Sequence, residues 1–576
     1  PVPTPTPVPT PTPVPIPVPT PTPTPTPAPT LTPTPKPKST PAPAPISSNV
    51  RIPNMGTGLG PWVLMSDAMI PAWESWWTRN RLHYLPFKQS IEWESEEPSS
   101  NEDNGSNKTV GVKLKSNKKI IDALSESLQD NNYYTRITTV LAMAKFGDKR
   151  FLEAIKKSLT DKNQYVSDTA ILSLGMMGDP TTVKDLKEIL FDKKSKEISQ
   201  AYAVLALGYI KDNNSTNALK EVFNPKYNMK TEVKCSALLS LGNSEDPSLI
   251  PFLGNILGDK KEKVEVRSYA ALALGRLKNK KALPVLKMAL NEKKNEILGS
   301  VAVAMGLIKS EESKNDLLIL LTKGRDSKVK GLAAIALGQL GDKSVTKLLL
   351  QAAQKGDYNL QGYSILALGL LNDEKSIKEL RSILIGKKNL FGRGAAALAL
   401  GMMKDKESVP ELIQIVEKEG QSDSVTWSYA ILALGMIGDE RAVPVLEKFF
   451  EKVQDQSQAA LADVAYNNIT VALTMLGQRA KVLEILHKKL IDKSVTSEIK
   501  QKVLHGIGYA GDETSLDVLV DYYKDEKNEH LKSFVIMAMG FILDKNKISP
   551  LYKIVADGNP DIPLNIMIIM LLTRPD

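Results

Sequence analysis

The stretch that decides the fold is VEVRSYAALALGRLKNKKALPVLKMAL, residues 264–290. Its first half packs small residues, Ala270, Ala271, Ala273 and Gly275, into one apolar run. Small side chains on a helix let a neighbouring helix approach closely. Its second half places Leu283, Leu286 and Leu290 at three- and four-residue spacing, one face of a second helix. Between them, Asn279 stands where a new helix needs an acceptor for its free N–H groups. The segment therefore predicts a helix, a tight turn and a second helix. Such a pair cannot bury its apolar face alone.

The same phrase recurs on both sides. Its central small residue, the anchor, falls at Ala144, Gly175, Gly208, Gly242, Gly275, Gly306, Gly338, Gly369, Gly401, Gly435, Thr474, Gly508 and Gly540, a step of about 33 residues. Four residues after the anchor stands Asp148, Asp179, Asp212, Asp246, Asp342, Asp373, Asp405, Asp439, Asp512 or Asp544, with Asn279, Ser310 and Gln478 as the exceptions. Asp, Asn and Ser are all expected to cap the second helix; Gln478 is a poor cap. Pro251, Pro284, Pro410 and Pro444 share one place in the first turn of that helix. Stacked helix pairs bury a continuous core. The fold class is all-α, a solenoid of about 13 helix pairs over residues 116–576.

These phrases, above all ALALGRLKNKKALPVLKMAL (271–290) and ILALGMIGDERAVPVLEKFF (431–450), resemble the HEAT-like repeat family, in the short form first named from phycobilisome lyases. The resemblance covers about four fifths of the chain and implies a fold more than a function. Family members include scaffolds, cofactor lyases, DNA-repair enzymes and a di-iron hydroxylase that relies on repeated His-Glu pairs. Here His83, His487, His505 and His530 are followed by Tyr84, Lys488, Gly506 and Leu531, so that iron site is not expected.

Three segments precede the repeats. Residues 1–50 form a Thr/Pro-rich tail, with proline at every odd position from Pro1 to Pro29. Proline fixes φ and has no N–H, so polyproline II is expected. The tail is a stiff spacer or an O-glycosylated stalk. The glycosylation candidates are Thr4, Thr6, Thr10, Thr12, Thr20, Thr22, Thr24, Thr26, Thr30, Thr32 and Thr34. The tail resembles the Thr-Pro linkers of secreted bacterial proteins, which implies export to the cell surface, the medium or the periplasm. Residues 51–91 hold Trp73, Trp76 and Trp77 at i, i+3 and i+4, an aromatic plug over the solenoid's open end or a partner- or sugar-binding platform. Residues 92–115 read as a polar linker. A Trp-rich preamble before such repeats is also similar to secreted HEAT-like proteins of planctomycete-type bacteria.

Chemistry is sparse. The chain has 576 residues and a formal net charge of +9, mild for its length. One cysteine, Cys235, excludes an intramolecular disulfide and a Cys-based zinc cluster. No apolar run reaches the ~18 residues of a membrane-spanning helix. Lys outnumbers Arg and is interleaved with acids, so solvated faces explain the charge better than nucleic-acid binding. Cys235 and His505 read as core residues. No catalytic constellation and no cofactor site are apparent. The far end is apolar from Ile566 to Leu572, without a polar face. Ile566, Ile569 and Met570 join the tryptophans as partner-binding candidates. The expectation is an exported, non-enzymatic interaction scaffold that assembles head-to-tail through unfinished ends. A lyase-like accessory enzyme using the concave groove and a monomeric protein- or glycan-binding module are the alternatives.

Overall fold

The computed structural model describes residues 117–386, 390–418, 424–454 and 459–544. The chain divides into two compact units, Pro1–Met55 and Gly56–Asp576; the described residues all belong to the second. Among them are 26 α-helices and no strand, in two alternating rows of thirteen. The A helices carry the anchors, from Tyr133–Phe146 to Glu529–Leu543. The B helices run from Asn117–Ser127 to Glu513–Asp525. The all-α repeat array expected from the sequence is the observed one.

The anchor spacing explains the A row. A Cβ built on Gly275 would lie 2.4 Å from the Ala304 Cα, and one on Gly175 2.2 Å from the Ala206 Cα. Each anchor glycine thus meets the alanine or serine two residues before the next anchor. At Gly175 and Gly275 backbone and an alanine Cβ, not a flexible side chain, fill the space, so a small residue is required there. Leu174, Leu207, Leu241 and Leu274, one residue before their anchors, are completely buried. They sit on the side where the B helices pack. B helices are amphipathic: Leu283 and Leu286 of Leu283–Ala289 are buried while Met288 is exposed.

The turn between A and B helices is more specific than the sequence suggests. Eleven of its residues, three after their anchors, have left-handed φ, among them Gly178 (69°), Lys211 (55°), Lys278 (50°), Lys309 (52°) and Lys404 (54°). Most of the caps then open a three-residue 3-10 turn before the B helix: Asp179 accepts from the Thr181 N–H, Asn279 from Lys281 and Asp439 from Arg441. Three expected caps differ. Ser310 makes no capping bond; its hydroxyl, one bond shorter than a carboxylate, is buried without a partner. Asp405 makes no regular capping bond; its carboxylate accepts from Arg381 Nε (2.7 Å) and from the Ser408 hydroxyl. Asp544 ends the last described A helix and pairs elsewhere. Lysine in the left-handed region is strained where glycine is not, by roughly 1–2 kcal/mol. Lys309→Gly, at an exposed site, is expected to raise the melting temperature, as calorimetry will show.

A third regularity escapes inspection because the residue type changes. Eight residues before the anchor, a long donor reaches back to the C-terminal end of the preceding B helix. Arg267 Nε donates to Leu257 O (2.8 Å), Arg393 Nε to Leu384 O (2.8 Å) and Trp427 Nε1 to Val416 O (2.9 Å). These carbonyls lack helical partners and carry the negative end of the helix dipole. Arg136 also holds Asp161 of the next loop through two bonds of 2.8 Å, and Arg267 holds Glu292 through one, from Nη2 to Oε1. Loop is thereby stapled to loop along the array.

Among the described residues the array has no free end. The last A helix, Glu529–Leu543, packs on the first, Tyr133–Phe146, over an extent similar to consecutive A helices. A Cβ on Gly540 would lie 3.0 Å from the Ala142 Cβ and 3.1 Å from its Cα, the usual anchor contact. The B row closes too. Asn117–Ser127 precedes the first A helix yet contacts Glu513–Asp525, and Ser127 hydrogen-bonds Tyr523. The helix at the start of the described chain therefore serves as the B helix of the last pair. An open solenoid with two unfinished ends was expected; the described repeats form a closed ring.

Candidate functional site on the ring seam and the inner A-helix face

Trp73, Trp76, Trp77, Ile566, Ile569, Met570 and the tail threonines lie outside the described residues. The described chemistry gathers at three other places.

The first is the seam. Lys145, one residue after its anchor, lies 4.0 Å from Asp544, and both are buried. The Lys145 ammonium also sits 4.0 Å over the Phe541 ring, and Phe541 stacks on Tyr509 at 6.4 Å. Burial pushes the Lys145 pKa down, and Asp544 partly restores it. Tyr209, two A helices along, is raised well above the ordinary tyrosine value by burial and also feels Arg276 and Asp544. Its hydroxyl has no hydrogen-bond partner. Partnered buried ions are costly to break singly, so this pair favours closure.

The second place is the A-helix face turned away from the B row. At 3.6 residues per turn, the anchor and the residue two before it face the neighbouring A helices. The residues one and eight before the anchor face the B row. Those three and six before it, and one after it, point the other way. Three before the anchor stand Leu172, Leu205, Leu239, Leu272, Ile335 and Leu366; six before stand Tyr202, Tyr269 and Tyr363; all are buried. One after the anchor, Met402, Met436 and Met475 are half-buried, each folding over the preceding glycine. This face is apolar around most of the ring.

The third is a polar cluster near the start of two A helices. Asp168 is 1% exposed; it accepts from Ser199 Oγ (2.6 Å) and Gln164 Nε2 (2.9 Å). Burial raises its pKa more than these donors lower it. Nearby Glu197 is pushed up to about 7, chiefly by sharing a hydrogen bond with Glu232. For Asp168 the sign is clear: a folded pKa above the unfolded one means that stability falls as pH rises through the carboxylate range. Asp168→Asn is expected to melt higher than wild type at pH 7, with the gain shrinking under acid conditions. Melting curves at both pH values test this.

The remaining candidates are structural. Cys235 is buried, and burial drives its thiol far above the normal range. His487 Nε2 lies 3.0 Å from Ser515 Oγ, its pKa lowered by burial. His505 and His530 both pack on Phe534. Among the described residues no group of three or more His, Cys, Asp or Glu could hold a metal. No described helix is long and apolar enough to cross a membrane.

Comparison with known proteins identifies the repeats. The HEAT repeat family model matches residues 121–208, 226–306, 260–338, 314–390 and 379–464, more than half of the chain. The chain belongs to the HEAT repeat family. No curated protein matches. Solved structures with similar helix repeats include human deoxyhypusine hydroxylase, at 20% identity over 46% of this chain and 98% of that one, with a TM-score of 0.23. The complex of CpcE and CpcF of phycocyanin lyase from Nostoc shares 16% identity over 53% of this chain and 98% of that one, TM-score 0.24. Kap95p, in its structure with RanGDP, shares 12% over 74% and 66%, TM-score 0.34. These are likenesses of repeat architecture.

Proposed function

We propose that the chain is an exported, non-enzymatic scaffold that binds protein partners on the outer, B-helix side of its repeat ring. The observation that carries this reading is the B-row surface. A groove of about 900 Å³ opens between Ile377–Ile385 and Val409–Lys418, crossed by Arg381 and edged by Ile385, Met403 and Glu411. In two adjacent units Met288 and Ile319 stand exposed at equivalent places. Exposed apolar side chains beside charged ones suit a protein partner. Export rests on the Thr-Pro tail, whose composition cannot build a core and leaves its hydroxyls available for sugar. Assembly into filaments draws no support from the solenoid ends, which occupy each other; it would need residues outside the described ring, such as Ile566, Ile569 and Met570.

Intact mass, absorbance and sedimentation of the native protein test the reading together. The expected result is a mass above 63.1 kDa by whole sugar units, no absorbance beyond the aromatic band, and sedimentation with a partner protein. A bound chromophore would favour the second reading, a lyase-like accessory factor, for which the buried Asp168 cluster is the one motive. Sedimentation as long homopolymers would restore head-to-tail assembly.

A further inference from the structure

The A-helix face turned away from the B row is apolar and out of water, yet the helices that pack extensively on each A helix are its two A neighbours and the B helices. In a closed ring that face looks toward the middle. Thirteen helices spaced 8–10 Å apart give a ring about 37 Å across between axes, leaving a gap of roughly 27 Å once the helices' own width is removed. Side chains such as Leu205, Leu272 and Tyr363 cannot bridge it. Their burial, at 2%, 1% and 0% exposed, requires a further segment of chain.

We propose that the ring is filled by the chain's own tryptophan segment, with Trp73, Trp76 and Trp77 seated on the inner A-helix face. Two observations favour this occupant. It is tethered by the polar linker 92–115 to Asn117–Ser127, the helix that closes the B row at the seam, which keeps it close to the ring. Its three aromatic residues, spaced for one helical side, match a surface of leucine, tyrosine and methionine, where aromatic–sulfur and apolar contacts both contribute. The closed ring offers no open end for an aromatic cap, so the middle is the apolar surface available to it. A scaffold filled in this way presents its B row and rims to partners and keeps its most apolar face to itself.

Tryptophan fluorescence of the full chain tests the proposal. Five of the six tryptophans lie between Trp62 and Trp93; Trp427→Phe removes the sixth, so emission then reports the segment alone. The expected result is blue-shifted emission that acrylamide quenches several-fold less than in denaturant, unchanged on dilution. Met436→Glu with Met475→Glu, at half-buried inner positions, should raise the quenching toward the denatured level while the helical melt stays cooperative. If that pair unfolds the ring, Trp73→Ala with Trp76→Ala and Trp77→Ala is the second arm. It should leave the helix signal intact and raise binding of an apolar dye several-fold. Water-like, fully quenchable emission in the intact protein overturns the proposal and points to the apolar stretch Ile566–Leu572. Protection that is lost on dilution overturns it in favour of a second copy of the chain.

Discussion

Replacing Gly275 by alanine should destabilise the ring by about 1–3 kcal/mol, and replacing it by leucine by more. The added Cβ alone would stand 2.4 Å from the Ala304 Cα, 2.7 Å from its Cβ and 3.0 Å from its carbonyl oxygen. None of these atoms belongs to a side chain that can rotate away, so two helices must separate. Separation opens voids along Ala270, Ala271 and Ala273, which are completely buried. The control is Gly178→Ala. Nothing lies within 4 Å of a Cβ there, but φ is +69°, so the loss comes from the backbone alone, about 1 kcal/mol. Chemical denaturation of the three variants separates the two causes. If Gly275→Leu unfolds at the wild-type midpoint, close approach of the A helices is not what holds the repeats together.

Gly540→Leu should have a larger structural effect, because it strikes the close A-row contact where the two ends meet. A Cβ on Gly540 meets the Ala142 Cβ and Cα at 3.0 and 3.1 Å, and the buried Lys145–Asp544 pair lies beside it. In an open repeat array stability is a sum of unit and nearest-neighbour terms, and the end units fray. In a ring every unit has two neighbours. Amide hydrogen exchange in Tyr133–Phe146 and Glu529–Leu543 should therefore be as slow as in the central helix Val264–Arg276. In Gly540→Leu both end helices should exchange at least tenfold faster while the central one changes little. Fast exchange at these two helices in the wild-type protein would contradict closure in solution.

Much of the fold was legible because its determinants are local. The anchor phrase sets the close approach of A helices, and Asp179, Asn279 and Asp439 cap where the spacing places them. What stayed hidden was non-local or chemically disguised. The seam uses the same glycine-on-alanine contact as most of the other A-row interfaces, so nothing in the Gly540 phrase distinguishes a partner 398 residues back from one in the next repeat. Asp544 occupies a cap position by spacing and is an ion-pair partner by location. Asn117–Ser127 precedes the first complete phrase and carries no sign that it completes the last. The stapling donors hide because Arg267, Arg393 and Trp427 share a role without sharing a residue type. The inner face was invisible as a site because its residues look like ordinary core; a ring must be known before that face has a middle to look toward.

The tight A row and the looser B row have an arithmetic consequence. Each unit is a wedge, narrow where glycine meets alanine and broad where amphipathic helices stand apart, and the wedge angle multiplied by the number of units must complete one turn. An open array can gain or lose a repeat by unequal recombination and still fold. This one cannot change its number by one without reshaping the wedge at every joint, since an extra unit overlaps and a missing one leaves a gap at Gly540 and Ala142. The count of thirteen is thus a property of the whole sequence at once, and the lineage of such a chain is confined to substitution within units rather than to their addition or removal.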